Sequence, residues 1–528
     1  MGFGNEVANV LQVLRNEKQV YRDYLPDEAI RAGQLLVQQT SGLWADVLEK
    51  VIAMIRAELP QDYPHAAVWW YSVLIGMDKN KDIFLEFVRY VRKNQQAFSV
   101  NTRYFLFYQL ISLSFRYREL DGESKKELWR FYQEIIDEYA EYMPADLLEP
   151  LTVQERNKNV VVVITEQFIA IQHGPTKTAL DRCKALMTQL GKEVLLINDA
   201  EVLSQVGQIP FWGAMSGNYD PEKRFESVQE WKGVKVPYYQ CENYMPDFTE
   251  VKNLLLKIRM LAPEKIIAIG KGGILANLAS RIVPMLTIGL CPSDLEYTTG
   301  QYQALGRKLT EADIELLKDL GYTEHHVIES IFTSSLKPQV EHITRSELGI
   351  PDDKFVIIIV GARLDSEVTS EFMGMLESVL NADMYVAFLG EFHQYNNYVS
   401  AFPKLKEQSA YLGFCADILS RLEVCDLYVN PIRKGGGTSS VESMFKGIPV
   451  VSVDYGDVAV NAGSEFCVKD YNEMQEMILR YYNDKNFYNK MSRYAKERAD
   501  VLLDTDREFV RIICEMDCRE EKKKQGEG

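Results

Sequence analysis

Residues 426–463 read DLYVNPIRKGGGTSSVESMFKGIPVVSVDYGDVAVNAG. A short strand, Asp426 to Val429, runs into a loop with Pro431 and then three consecutive glycines, Gly435, Gly436 and Gly437. Three missing Cβ atoms allow positive φ and let the backbone approach a ligand closely. Thr438, Ser439 and Ser440 are helix-capping types. The spacing predicts a helix from about Ser440 that ends before Gly447, with Pro449 opening the next strand. Free N–H groups and the macrodipole at that helix start make an anion site suited to a diphosphate. Glu442, in the first turn, is placed to accept both hydroxyls of a ribose, as acidic residues do in dinucleotide folds. A plain glycine-rich turn with an ordinary capping acid has the same residues, and the stretch alone leaves both readings open.

The pattern around this stretch is that of strands buried on both faces. Phe355 to Val360 (FVIIIV) and Val160 to Ile164 (VVVVI) are unbroken β-branched runs of the kind parallel sheets require. Further strands are expected at Val194 to Ile197, Lys265 to Ile269, Met285 to Leu290, Met384 to Leu389 and Ile448 to Val453, with helical patterns such as Thr178 to Leu190 between them. Such alternation argues for two successive βαβ series. The stretch Leu336 to Lys354, with Pro338, Gly349 and Pro351, suits a connector between them. Two doubly wound sheets imply a cleft, with ligands outside the carboxyl ends of the strands.

Residues 1 to about 150 have a different texture. Val47, Leu48, Val51, Ile52, Ile55 and Leu59 form one apolar stripe at helical spacing, and the period recurs through Phe84 to Val91 and Leu128 to Ile136. Aromatics are dense, among them Trp44, Trp69, Trp70, Tyr104, Phe107 and Trp129. They either fill a helical core or form a docking face for a partner chain or protein substrate. The expected organisation is therefore an all-α domain (1–150), an α/β Rossmann-like domain (155–345), a second one (346–505), and a terminal helix with a frayed, charged tail (506–528).

A net charge of −17 argues against nucleic acid as a partner of the whole chain. No apolar run approaches the ~20 residues of a spanning helix. The opening MGFGNEVANV lacks a basic n-region, so no secretory signal is expected. Eight cysteines without a CxxC pair read as reduced, mostly buried thiols of a cytoplasmic protein. Asp504-Thr505-Asp506, the one Asp-x-Asp, reads as a helix cap rather than a metal site.

The segment quoted first resembles the nucleotide-sugar site of glycosyltransferases with the two-Rossmann GT-B fold. The matching landmarks are Glu442-Ser443-Met444-Phe445-Lys446-Gly447-Ile448-Pro449-Val450-Val451, then Gly456-Asp457 and Gly463. Gly361-Ala362-Arg363-Leu364 and Tyr411-Leu412-Gly413-Phe414 resemble two further landmarks upstream. The resemblance covers about 345–470 closely, 159–345 by pattern only, and not the first 150 residues. It implies that Glu442 holds the donor ribose, that Gly436, Gly437, Thr438 and Ser439 cradle the diphosphate, that Arg363 neutralises phosphate charge, and that Phe414 lies near the base. It departs from the family where retaining members carry another Glu, since Lys434 stands there, and where Asp365 and Glu367 follow the Arg363 loop. Arg433 and Lys434 are candidates for the missing positive charge.

In the first α/β series, Glu166 and His173 follow the first strand. His173 has the unperturbed pKa of a general base, and Glu166 is a second candidate. Lys177, the loop Gly270-Lys271-Gly272-Gly273 and His393 are weaker candidates for ligand contact. The resulting expectation is a metal-independent glycosyltransferase with no cofactor beyond a nucleotide-sugar co-substrate, most simply UDP-linked, acting on an acceptor such as a protein. The competing reading is a GT-B scaffold with impaired catalysis, serving as partner or acceptor-binding subunit of an active enzyme.

Overall fold

The computed structural model describes residues 27–40, 43–57, 59, 64–78, 81–114, 120–169, 174–201, 225–241, 247–271 and 273–525. Two sheets organise it. The first has eight strands: β1 (Asn157–Thr165), β2 (Glu193–Asn198), β3 (Phe225–Trp231), β4 (Val234–Gln240), β5 (Pro263–Ile269), β6 (Met285–Ile288), β7 (Tyr302–Leu305) and β8 (Val327–Glu329). Their order is β3-β4-β2-β1-β5-β6-β7-β8, and only the β3–β4 edge hairpin is antiparallel. The second sheet has β9 (Phe355–Gly361), β10 (Met384–Gly390), β11 (Ser409–Gly413), β12 (Leu427–Asn430), β13 (Val450–Val453) and β14 (Cys467–Val468). It is all parallel, in the order β11-β10-β9-β12-β13-β14. The fold is α/β with two doubly wound sheets and an additional helical segment. It matches the expected GT-B architecture.

In each sheet the winding direction reverses beside the first strand. The switch points lie between β1 and β5 and between β9 and β12. Loops diverge there and leave a crevice at the carboxyl ends. The expected strands are present within a few residues of their anticipated ends. The hairpin β3–β4 and strands β7, β8, β11 and β14 are not among the expected strands. The helix after the glycine turn starts at Gly437 rather than Ser440 and ends at Phe445.

Along β1 the side chains alternate between two cores, as the pleat demands. Val162 and Ile164 face one layer, with Phe107, Phe131, Tyr132 and Ile135 of the helical segment. Val161 and Val163 face the other, with Leu180 and Leu186 of the Gly174–Thr188 helix. Among the described residues before β1, most of the buried side chains join the core around Val162 and Ile164, and Ala32, Ala66, Trp69 and Val73 form a small cluster of their own. The helices Val100–Ser114 and Gly122–Glu141 cover one face of the first sheet, and Trp129 donates its indole N–H to the Thr298 carbonyl at 3.1 Å. Trp69, Tyr104, Phe107 and Trp129 are buried; Trp44 is exposed.

The C-terminal tail corrects an expectation. The Thr505–Gln525 helix crosses back to the first sheet and buries Phe509, Ile512, Ile513 and Met516 against it. Arg519, within the segment expected to fray, donates to the carbonyls of His325 and Val327, and Tyr302 donates to Glu520. Asp504 accepts the Arg507 N–H at the start of that helix, as a cap does. The cysteines are all free, but only Cys183, Cys241 and Cys425 are buried, and Cys514 and Cys518 are exposed. Among the described residues no helix is long and apolar enough to cross a membrane.

Candidate active site between the two sheets

A cavity of about 540 Å³ lies where the carboxyl ends of the two sheets meet. The second sheet contributes Gly361 at the end of β9, Ala362 and Arg363 after it, and Gly436, Gly437, Thr438, Ser439 and Glu442 after β12. The first contributes Gly174, Pro175, Lys177, Thr178 and Asp181 from the Gly174–Thr188 helix and Leu290 and Pro292 after β6. The stretch between β8 and the connector supplies Phe332, Ser334 and Ser335.

The glycine turn is shaped for close approach. Gly436 has φ +98° and is the N-cap of the Gly437–Phe445 helix, with no side chain capping it. Ser439 and Ser440 do not cap, contrary to expectation. Their hydroxyls donate backwards to the carbonyls of Gly436 and Gly437 at 2.9 and 2.7 Å. The first N–H groups of the helix are left open towards the cavity, where an anion can accept them.

Glu442 sits one turn further on, 8% exposed. Its carboxylate accepts no hydrogen bond from any described residue. Burial raises its pKa to about 7, and the positive charges of Lys177 and Lys337 draw it part of the way back. A buried acceptor facing a cavity without donors is arranged for a ligand that brings hydroxyls. Asp457, also at the cavity, is raised to about 6 by burial and accepts the Ser293 hydroxyl at 2.8 Å.

The basic residues divide by role. Arg433 is 6% exposed and underpins the turn. It donates to the Val360 carbonyl (2.6 Å), the Tyr428 hydroxyl (3.0 Å) and Asn430 Oδ1 (2.8 Å), and pairs with Glu367 at 2.7 Å. Lys434 turns away from the cavity lining and pairs with Asp294 of the first α/β unit at 2.5 Å, so the side chain holds the two units together. Arg363 lines the cavity with its side chain 63% exposed, 3.0 Å from Glu367. Phe414 lines the rim and is 78% exposed, an open aromatic face.

Residues 340–498 match the family described as Glycosyl transferases group 1. No curated protein matches the chain. A mutant of the Thermobaculum terrenum O-GlcNAc transferase overlays with TM-score 0.55 at 12% identity, covering 98% of both chains. A glycosyltransferase from Rickettsia africae gives 0.47 at 11% identity, over 69% of this chain and 98% of the other. Anabaena HepE in complex with UDP gives 0.47 at 12%, over 68% and 99%. The first of these likenesses shows the fold, and the helical segment lies within its span.

The cavity brings together Arg363, Phe414, Arg433, Gly436, Gly437, Thr438, Ser439 and Glu442. It does not include Lys434 or His393, whose backbone N–H is held by Asp365 at 3.1 Å. His173 lies outside the described residues. Glu166 is described but set back from the cavity lining. It is 5% exposed and accepts from Lys271 at 2.5 Å, and the Lys271 ammonium also lies 3.7 Å from the centre of the Tyr108 ring. This pair occupies the switch point between β1 and β5. Three further buried carboxyls surround it. Glu201 and Glu296 are each raised to about 7 by burial, and Asp199 is raised likewise. Lys177, a weaker candidate for ligand contact in the sequence, lines the cavity; Asp181 lines it too and is not a candidate from sequence. The signal for both is a helix start after a strand.

Proposed function

We propose that the chain transfers a sugar from a nucleotide-sugar donor, UDP-linked, to an acceptor hydroxyl or side-chain amide of a protein, without a metal ion, in the cytoplasm. The observation that carries the donor half is Glu442: a buried carboxylate with no described donor, one turn inside an uncapped helix that opens on the inter-sheet cavity. The helix N-terminus receives the diphosphate and Glu442 the ribose, while Phe414 offers a face on which a base can stack. Charge on the departing diphosphate is met by backbone N–H groups, hydroxyls and basic side chains. His173 is the proposed base, because Glu166 is engaged by Lys271 away from the cavity lining. The helical segment over the first sheet supports a macromolecular acceptor, and eight free cysteines suit a reducing compartment.

Calorimetric titration and thermal-shift screening with a panel of nucleotide sugars, coupled to donor hydrolysis, test this reading. A stabilising shift with one donor is expected, lost in Glu442→Ala. His173→Ala is expected to cut turnover and leave donor affinity largely intact. The second reading, a non-catalytic GT-B subunit, draws on Lys434 and on the engaged state of Glu166. Donor binding without hydrolysis or transfer, with any acceptor supplied, would favour it. No shift with any nucleotide would remove the donor site itself.

A further inference from the structure

Among the described residues seven charged side chains line the cavity: Lys177, Arg363 and Arg433 against Asp181, Glu367, Glu442 and Asp457. A nucleoside diphosphate therefore meets, among the described residues, a lining without a surplus of positive charge. Arg433 is consumed by four partners around the glycine turn. Arg363 is paired with Glu367 and mostly in solvent. Asp181 is occupied by Trp231, Lys232 and Ser335. Lys177 is different. It is 7% exposed, lies at the cavity wall in the first turn of the Gly174–Thr188 helix, and has no hydrogen bond or ion pair within 4 Å among the described residues. A buried ammonium without a counter-ion is costly unless a ligand completes it.

We propose that Lys177 is the diphosphate ligand contributed by the first α/β unit, so that the donor phosphates are held between this ammonium and the open N-terminus of the Gly437–Phe445 helix. This rests on the nucleotide-sugar reading and adds to it. The donor bridges the two sheets through its phosphates, and the cation comes from the unit opposite the nucleotide-binding one. The placement explains how the site works although the glycine turn's own basic residues, Arg433 and Lys434, are spent on structure. Glu442 and Lys337 lie close enough for their charges to act on Lys177, so the rival role is to neutralise Glu442.

The two roles separate on the ligand. Full-length protein, Lys177→Met and Lys177→Arg are titrated calorimetrically with UDP and with uridine; if UDP does not bind, the other nucleoside diphosphates and their nucleosides replace them. The expected result is a loss of about 10- to 100-fold in diphosphate affinity in Lys177→Met, the scale of one charge-assisted hydrogen bond. Nucleoside affinity stays within about 2-fold, and Lys177→Arg stays within a few-fold of the parent. Melting curves of each variant establish that folding is retained. Equal losses for diphosphate and nucleoside would show that Lys177 serves Glu442 alone and overturn the proposal, as would no loss at all. Binding of no nucleoside diphosphate to the parent protein would overturn the donor reading as well, a distinct result.

Discussion

Glu442 shows at the scale of one residue how function and stability oppose each other. Its pKa of about 7 means that the folded chain keeps a proton which the unfolded chain releases near the ordinary 4.5. Between those two values the folded state binds more protons, so stability falls as pH rises through the window. Above pH 7 the protein carries a buried carboxylate whose hydrogen bonds a ligand must supply. Glu442→Gln is therefore expected to melt at an equal or higher temperature than the parent at pH 8, and at about the same temperature near pH 4.5. The same variant is expected to lose about 10- to 100-fold in donor affinity, since hydrogen bonds to a charged acceptor are the strong ones. In the parent, donor affinity should fall as pH drops below about 7, where the carboxylate takes up a proton. A flat affinity profile between pH 6 and 8, or a Gln variant that melts lower at pH 8, would contradict this account.

At the scale of elements, the glycine turn depends on a buried arginine beneath it. A Cβ at Gly436 would lie 2.6 Å from Arg433 Nη2, and its φ of +98° is a conformation that side chains other than glycine resist. Gly436→Ala is expected to destabilise by about 1–3 kcal/mol, from strain plus displacement of Arg433, and to weaken donor binding in parallel. Thermal unfolding and calorimetry on the same sample check it, and an alanine variant with unchanged donor affinity would disconnect the turn from the site. This turn was legible in sequence because glycine, proline and capping types are local signals. So were VVVVI and FVIIIV, whose continuous apolarity permits little but a buried parallel strand. The β3–β4 hairpin was not, because its turn is Lys232-Gly233, with φ +44° and +85°, in place of the familiar Asn-Gly. The end of the last helix differs from the reading because its charges suggested solvent, whereas Arg519 and Glu520 find partners on the first sheet 192 and 218 residues away in sequence. The Glu166–Lys271 and Lys434–Asp294 pairs escaped for the same reason. Their members are brought together only by the winding of the sheets.

For the whole molecule, the question is whether the helices described before β1 are an attachment or part of the fold. Minimal two-sheet architecture needs both faces of each parallel sheet covered. Here one face of the first sheet is covered by the helices Phe248–Leu261 and Gly273–Ala279 together with side chains of Val100–Ser114 and Gly122–Glu141, in one continuous core. Polar contacts reinforce that interface. The Tyr132 hydroxyl donates to the Gly273 carbonyl and accepts from Asn277, and the Tyr104 hydroxyl donates to Glu201 at the switch point. Removing the segment would expose Ile274, Leu275 and Leu278 and leave buried Glu201 without its tyrosine. A chain beginning at residue 151 is therefore expected to lose cooperative unfolding of the first α/β unit, to bind a hydrophobic dye, and to fail in sugar transfer even where the second sheet stays folded. Donor affinity should fall too, because Lys177 and the wall it occupies belong to the destabilised unit. Near-ultraviolet circular dichroism and calorimetry on the shortened chain decide the matter. A sharp two-transition melt with donor affinity preserved would show that the helices are a separable module, and would shift their role to acceptor docking alone.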